Sequence, residues 1–134
     1  MKYEVTYEGD LRTSIRHTGS GESITTDAPV DNQGKGRFFS PTDMAAASLA
    51  SCMMTIAGIT AQKRGMEIRS MEAHCEKIMA SSPRRIGRLV IDLSIDAGDA
   101  SDKERTVLER AIRECPVALS LHPDIEQELR LQFV

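Results

Sequence analysis

From Met44 to Ala61 the chain carries no charged residue, and small or apolar side chains occupy nearly every position. This run predicts one long helix. Ser40 is suited to cap it, with Pro41 at the first helical position, where its missing N–H costs nothing. Asp43 falls three residues after the cap, where a carboxylate reaches back to the cap amide and meets the positive end of the helix dipole. Lys63 and Arg64 fall in the last turn, and Gly65 supplies a left-handed stop. Such a helix is roughly 36 Å long and carries Cys52 near its middle. About 18 apolar residues is the lower limit for a membrane span. This run is rich in Ala, Ser and Thr, however, and no second candidate exists, so the reading is a core helix, apolar on all sides.

On either side the pattern changes to a period of two. Met1, Tyr3, Val5 and Tyr7 alternate with Lys2, Glu4, Thr6 and Glu8, which predicts a half-buried strand. Gly9-Asp10 turns the chain. Leu11, Thr13 and Ile15 then share one face, with Arg12, Ser14 and Arg16 on the other. Gly19-Ser20-Gly21 turns it again into a short strand from Ser23 to Thr26. The segment from Asp27 to Phe39 reads as a loop feeding the long helix, with Phe38-Phe39 packed against something. After Gly65, Met71, Ala73 and Cys75 alternate with Glu72, His74 and Glu76. Leu89, Ile91, Leu93 and Ile95 alternate similarly within Arg88 to Ile95. Ser101 to Glu104 is a capping box, followed by a stripe of Val107, Leu108, Ala111, Ile112 and Cys115 at helical spacing. Pro116 interrupts that helix. A short turn over Val117 to Leu121 and a closing strand with Ile125, Leu129, Leu131 and Phe133 complete the chain.

Strands come in blocks rather than alternating with helices. The expected class is therefore α+β, with antiparallel strands around a long buried central helix that carries a cysteine. Residues 1–134 read as a single domain. One small sheet covers only one side of a helix that is apolar all round, so a second copy of the chain is expected to cover the other.

Composition narrows the chemistry. The net charge is −3 and aromatic residues make up 4%, with no Trp. Neither a basic footprint nor base-stacking surfaces for nucleic acid are present. The opening MKYEVTYEG is a strand pattern rather than a signal peptide, which makes a cytoplasmic protein the expectation. Three cysteines in a reducing compartment are not a disulfide framework. No C-x-x-C pair is present, so no metal site and no cofactor are expected.

The cysteines are the candidate chemistry. Cys52 lies inside the long helix, Cys115 on the apolar face of another just before a proline, and Cys75 on a strand. A buried cysteine is commonly an inert small hydrophobe; two on core-facing helices raise the alternative of a redox pair. A reactive thiol also needs a nearby cation to hold it as thiolate. Arg12, Arg16 and Arg37 are candidates, as is Arg113 beside Cys115. His17, His74 and His122 have no ligand spacing, and His122 leaves a Cys–His hydrolase centre with Cys115 open as a further alternative.

Two motifs then carry a resemblance. SPTDMAAASLASCMMTI resembles the first cysteine motif of the family of osmotically inducible protein C and organic hydroperoxide resistance proteins. RAIRECPVALSL resembles its second, a Cys-Pro at the end of a helix. GDLRTSIRHTGSGESITTDAP and EKIMASSPRRIGRLVIDL are also similar, nearest to the family's less characterised third branch, so that the resemblance spans essentially the whole chain. It implies an α+β fold in an intertwined homodimer with two active sites at the subunit interface. It implies thiol-dependent reduction of peroxides, with Cys52 as the peroxidatic and Cys115 as the resolving cysteine. Arg12 matches the family's thiolate-polarising arginine. The family holds that arginine with a Glu near the start of the central helix, and Asp43 is the nearest match here. A helix puts Asp43 on the face opposite Cys52 and roughly 13 Å along the axis, so it would orient Arg12 only from a distance. Leu49, Met53, Ile56 and Phe38 are the expected apolar walls for an organic substrate, and the resemblance implies a dithiol reductant such as a lipoyl group. The competing expectation is a non-catalytic dimer that binds small thiols or apolar ligands.

Overall fold

The computed structural model describes residues 2–134; Met1, read above as the first apolar position of the opening strand, lies outside them. The elements in chain order are β1 (Tyr3–Gly9), β2 (Arg12–His17), β3 (Ser23–Asp27), a 3-10 turn (Val30–Asn32), α1 (Pro41–Arg64), β4 (Ser70–Ala80), β5 (Arg85–Asp96), α2 (Asp102–Arg113), α3 (Pro116–Ser120) and β6 (Glu126–Phe133). They form a mixed α+β architecture with two three-stranded sheets. The chain packs as two compact units, one ending at Ala45 and the other spanning Ala46–Val134.

In the first unit β1, β2 and β3 form an antiparallel meander. Gly9, Asp10 and Leu11 all have positive φ. Leu11 therefore belongs to the turn and not to the strand face on which simple alternation places it. Beyond β3 the loop folds tightly on itself. A Cβ at Gly34 would lie 1.6 Å from the Ala28 carbonyl oxygen, so only glycine allows this approach of backbone to backbone. The buried residues of this unit are polar: Thr26, Asp27 and Ser40. Most of its large apolar side chains, including Tyr3, Val5, Tyr7 and Ile24, are exposed. Phe39 is exposed as well, contrary to the packed position expected for it.

The helix α1 begins as its sequence predicts. The Asp43 amide donates to Ser40 Oγ (3.0 Å), and the Ser40 amide donates to Asp43 Oδ2 (2.9 Å). This reciprocal pair satisfies two of the amides that a helix start leaves open. Within one chain the helix is covered on one side only, as expected. Ala46, Leu49, Ala50, Met53, Ala57 and Ala61 form a buried stripe, whereas Ser51, Thr55 and Ile59 are exposed. Among the described residues α1 is the one helix long and apolar enough to cross a membrane; the buried stripe gives its apolarity a use inside the protein.

In the second unit that stripe packs with Leu89, Ile91, Leu93 and Ile95 of β5 and with Leu108, Ile112 and Cys115. The small Ala side chains of α1 and the β-branched and Leu side chains of β5 pack together in this core. β5 is the central strand, antiparallel to β4. Its pairing with β6 is parallel, Arg88 opposite Glu126 through Ile95 opposite Phe133. This corrects the expectation of antiparallel sheets. Helices α2 and α3 carry the chain back along the sheet before β6 starts, and a crossover of that kind is what parallel neighbours require. The capping box at Ser101 and Glu104 is formed as read.

Leu93 is fully enclosed at the centre of this core. Leu93→Ala is expected to destabilise the fold by about 2–5 kcal/mol, measured as a lower urea midpoint at unchanged slope; a midpoint within error of wild type would contradict this account of the core.

Candidate active site

Two cysteines from different elements meet in the second unit. Cys52 sits midway along α1, half-buried, on the flank of the buried stripe. Cys115 is the residue between α2 and α3, in extended conformation, with Pro116 opening α3. The proline cannot continue α2 but is well suited to the first position of a new helix. The break turns the Cys115 side chain into the core, where it is 0% exposed. There it is near enough to Cys52 for the two thiols to interact electrostatically. Both are free thiols.

The environment of Cys115 favours the protonated form. Burial pushes its pKa up, and the neighbouring Cys52 pushes in the same direction. The amides of Ala118 and Val117, in the first turn of α3, pull the other way without forming a regular cap. Burial prevails, so Cys115 is held as a thiol and Cys52 is the more accessible of the two. Cys75, the third cysteine, lies on β4 with its Sγ donating to the Ala46 carbonyl at 3.5 Å. Burial raises its pKa also, and nothing there favours a thiolate.

The sequence-level candidates fare differently. Leu49 and Met53, expected to wall a substrate space, are core residues buried against β5. Arg113, two residues from Cys115, pairs with Glu109 on the surface of α2 (3.0 Å). His122 Nδ1 accepts from the Asp124 amide at 3.0 Å, an exposed turn contact, which gives no support to a Cys–His centre. A shallow hollow of about 300 Å³ runs along α2 beside Thr106 and Arg110. A smaller one of about 130 Å³ lies beside Glu67 and Asp99. Neither borders a cysteine. Among the described residues no group of three or more His, Cys, Asp or Glu is placed to hold a metal ion.

The first unit holds the candidate cation. Arg12 opens β2 and faces Asp27, which closes β3, as a direct cross-strand pair. Its Nε donates to Asp27 Oδ1 (2.7 Å) and its Nη2 to Asp27 Oδ2 (3.0 Å), the two-pronged geometry that suits guanidinium and carboxylate. Asp27 Oδ2 also accepts from the Arg37 amide at 3.0 Å. The ring of Phe38 covers the guanidinium, 4.8 Å from Cζ to the centroid. The Asp27 side chain is 1% exposed and that of Arg12 29%. The hydrogen bond from Arg12 is the main reason that the Asp27 carboxyl lies below the ordinary carboxylate range. Asp27 in turn raises the pKa of Arg12.

Asp43 closes the capping box of α1, and the carboxylate hydrogen-bonded to Arg12 is Asp27, which the sequence reads as the start of a loop. The signal was available: folding a hairpin about Gly19-Ser20 in symmetric register sets Arg12 opposite Asp27. Arg16, on the same face as Arg12, pairs instead with Glu4 at 3.3 Å between two exposed side chains.

The profile of the OsmC-like protein family matches residues 34–130. Among solved structures, a Psychrobacter arcticus protein named for a proposed osmotic stress and detoxification response is 46% identical, with a TM-score of 0.91 over 98% of this chain and 96% of that one. OsmC of Legionella pneumophila, an organic hydroperoxide resistance protein, aligns at 16% identity and a TM-score of 0.73 over 98% of this chain and 97% of its own. OhrB of Bacillus subtilis, also an organic hydroperoxide resistance protein, aligns at 18% and 0.65 over 98% of each. At these last two identities the likeness is one of fold. No curated protein matches the chain.

Because its folded-state pKa is depressed, Asp27 contributes stability that is present above the unfolded value of about 3.9 and is lost as pH falls through the folded value. Asp27→Asn should melt below wild type at pH 7, and the gap in melting temperature should close as the pH is taken below about 4. Melting curves across pH 2–7 test this; a gap that persists unchanged in acid would show that the carboxylate charge is not what Arg12 binds.

Proposed function

The chain belongs to the OsmC-like protein family, and from that premise we propose that it is a thiol-dependent peroxidase that reduces organic hydroperoxides. The observation that carries the proposal is the meeting of Cys52 and Cys115 in one site, one thiol half-buried and the other enclosed and held protonated. The names of the Legionella and Bacillus neighbours support a peroxide-related role.

In this reading Cys52 attacks as the thiolate. Its sulfur takes the outer peroxide oxygen, the O–O bond breaks, and the leaving alkoxide gains a proton to become the alcohol. Cys52 is then a sulfenic acid. The Cys115 thiol condenses with it, releasing water and closing a Cys52–Cys115 disulfide. Condensation protects Cys52 from further oxidation, and the position of Cys115 at a break between two helices favours the small movement that bonding requires. An external dithiol, of which a lipoyl group is one example, returns both cysteines to thiols and is itself oxidised to a disulfide. Arg12 supplies the cation that stabilises the thiolate, and Asp43 contributes by fixing the start of the helix that bears Cys52. The two exposed apolar surfaces, the face of β1 with Tyr3, Val5 and Tyr7 and the open side of α1 at Ile59, support a homodimer as the working form.

Cys52→Ser should abolish peroxide consumption. Cys115→Ser should allow one turnover and leave a sulfenic acid at Cys52 that excess peroxide drives to the sulfinic and sulfonic states. Cys75→Ser should consume peroxide as wild type does. Mass spectrometry after peroxide treatment distinguishes these outcomes, and either full activity in Cys52→Ser or a Cys52–Cys75 disulfide would overturn the assignment.

Sedimentation should show a stable dimer at micromolar concentration. A monomer at that concentration would remove the homodimer from this reading.

A further inference from the structure

The helix that Cys115 leads into is short. α3 spans five residues, with no side-chain cap at its start, and a helix of so few residues is not stable by itself. Within it the Leu119 amide donates to the Cys115 carbonyl (3.1 Å), the Leu121 amide to the Val117 carbonyl (3.1 Å) and Ser120 Oγ to the Pro116 carbonyl (2.7 Å). Val117, Ala118 and Leu121 rest against the core, while Leu119 is 72% exposed. β6 supplies a further hold. Gln127, Leu129, Leu131 and Phe133 lie opposite Leu89, Ile91, Leu93 and Ile95 of β5, the row that faces the core. Gln127 is the polar member of its row, and its Nε2 donates to the Ala118 carbonyl at 2.9 Å. That carbonyl is among those the end of a helix leaves open. The bond ties the middle of α3 to the start of β6, one helical turn from Cys115.

We infer that Gln127 is a positioning residue for closure of the Cys52–Cys115 disulfide: through the Ala118 carbonyl it keeps α3, and with it Cys115, within reach of Cys52. Its place in the peroxide reaction rests on the peroxidase reading. There the Cys115 sulfur bonds to the sulfenic sulfur of Cys52, the S–O bond breaks, and the hydroxyl leaves with the thiol proton as water. The sulfenic acid has a competing fate, attack on a second peroxide to give the sulfinic acid. Holding Cys115 close favours closure over that loss. The opposite role, a restraint that keeps Cys115 away from Cys52, predicts the opposite sign, because removing Gln127 would then speed closure.

Closure can be timed without peroxide. In a Cys75→Ser background an aromatic disulfide reagent is attacked by Cys52, which releases one aryl thiolate and leaves a mixed disulfide. Cys115 then attacks the Cys52 sulfur, the bond to the aryl sulfur breaks, and a second aryl thiolate leaves. Gln127→Leu and Gln127→Ala both lack the N–H donor and add no charge. Each should leave the first release unchanged and slow the second by about fivefold, the effect of losing one neutral hydrogen bond. Thr106→Ala removes an exposed bond from Oγ1 to the Asp102 carbonyl at the far end of α2 (2.9 Å), and it should match the Cys75→Ser parent in both releases. A second release at the parent rate or faster in both Gln127 variants, an equal slowing in Thr106→Ala, or no second release in the parent would overturn the inference. An organic hydroperoxide is then added at the concentration that over-oxidises half of the parent protein. Gln127→Leu should carry more sulfinic acid at Cys52 by mass spectrometry, and an equal amount would overturn the inference for the peroxide step. A parent that closes the pair with the aromatic reagent but consumes no peroxide would reject the peroxidase reading and leave the role of Gln127 in closure standing.

Discussion

The contact on which the second unit depends is that between the small-residue stripe of α1 and the central strand β5. A helix that presents Ala46, Ala50, Ala57 and Ala61 to a sheet shares one buried core with Leu89, Ile91, Leu93 and Ile95. Interiors at this density tolerate little displacement. The rotation of α1 about its axis is therefore determined by the core, and with it the direction in which Cys52 points. The same core takes in Leu108 and Ile112 from α2, which brings the α2–α3 break, and so Cys115, to the thiol of Cys52. The chemistry of the pair is a consequence of how hydrocarbon is packed beneath it.

Two thiols so placed differ for a simple reason. Cys115 is enclosed among apolar groups, and a charge there would lose its hydration. Cys52 keeps partial access. An asymmetric pair suits a sequence in which one sulfur attacks and the other waits. The arginine proposed above to serve such a reaction resides on a different kind of scaffold. β2 and β3 form part of a small sheet whose buried positions are polar, and its order derives from hydrogen bonds around Asp27 more than from an apolar core. An arginine held on both oxygens of a buried carboxylate has a defined plane, which a surface arginine such as Arg16, paired between two exposed side chains, does not.

The uncovered apolar surfaces follow from the same economy of core. A sheet with Tyr3, Val5 and Tyr7 exposed on one strand cannot hold all its apolar surface away from water by itself. A helix buried along a single stripe leaves Ile59 in the same condition. The homodimer proposed above would cover both, and both lie in the segments where the apolar pattern was strongest.

Much of this was legible along the chain. Capping at Ser40 and Ser101, the limits of α1, the alternation of β4 and β5 and the α+β class are set by residues within a few positions of one another, where propensity and hydrogen bonding act locally. The cysteine motifs marked the two thiols in the same way. Other features depended on partners distant in sequence. The pairing of Arg12 with Asp27 rests on the register of a hairpin, and a shift of one residue would have turned the carboxylate to the other face. The parallel alignment of β6 rests on where α2 and α3 lead the chain. The stripe of α1 that is buried could not be read from a segment apolar on every side, because periodicity carries no information where all positions are alike. Sequence alone determined the elements and the reactive residue types; tertiary packing alone decided which groups meet, because a meeting between distant residues depends on the summed geometry of everything between them.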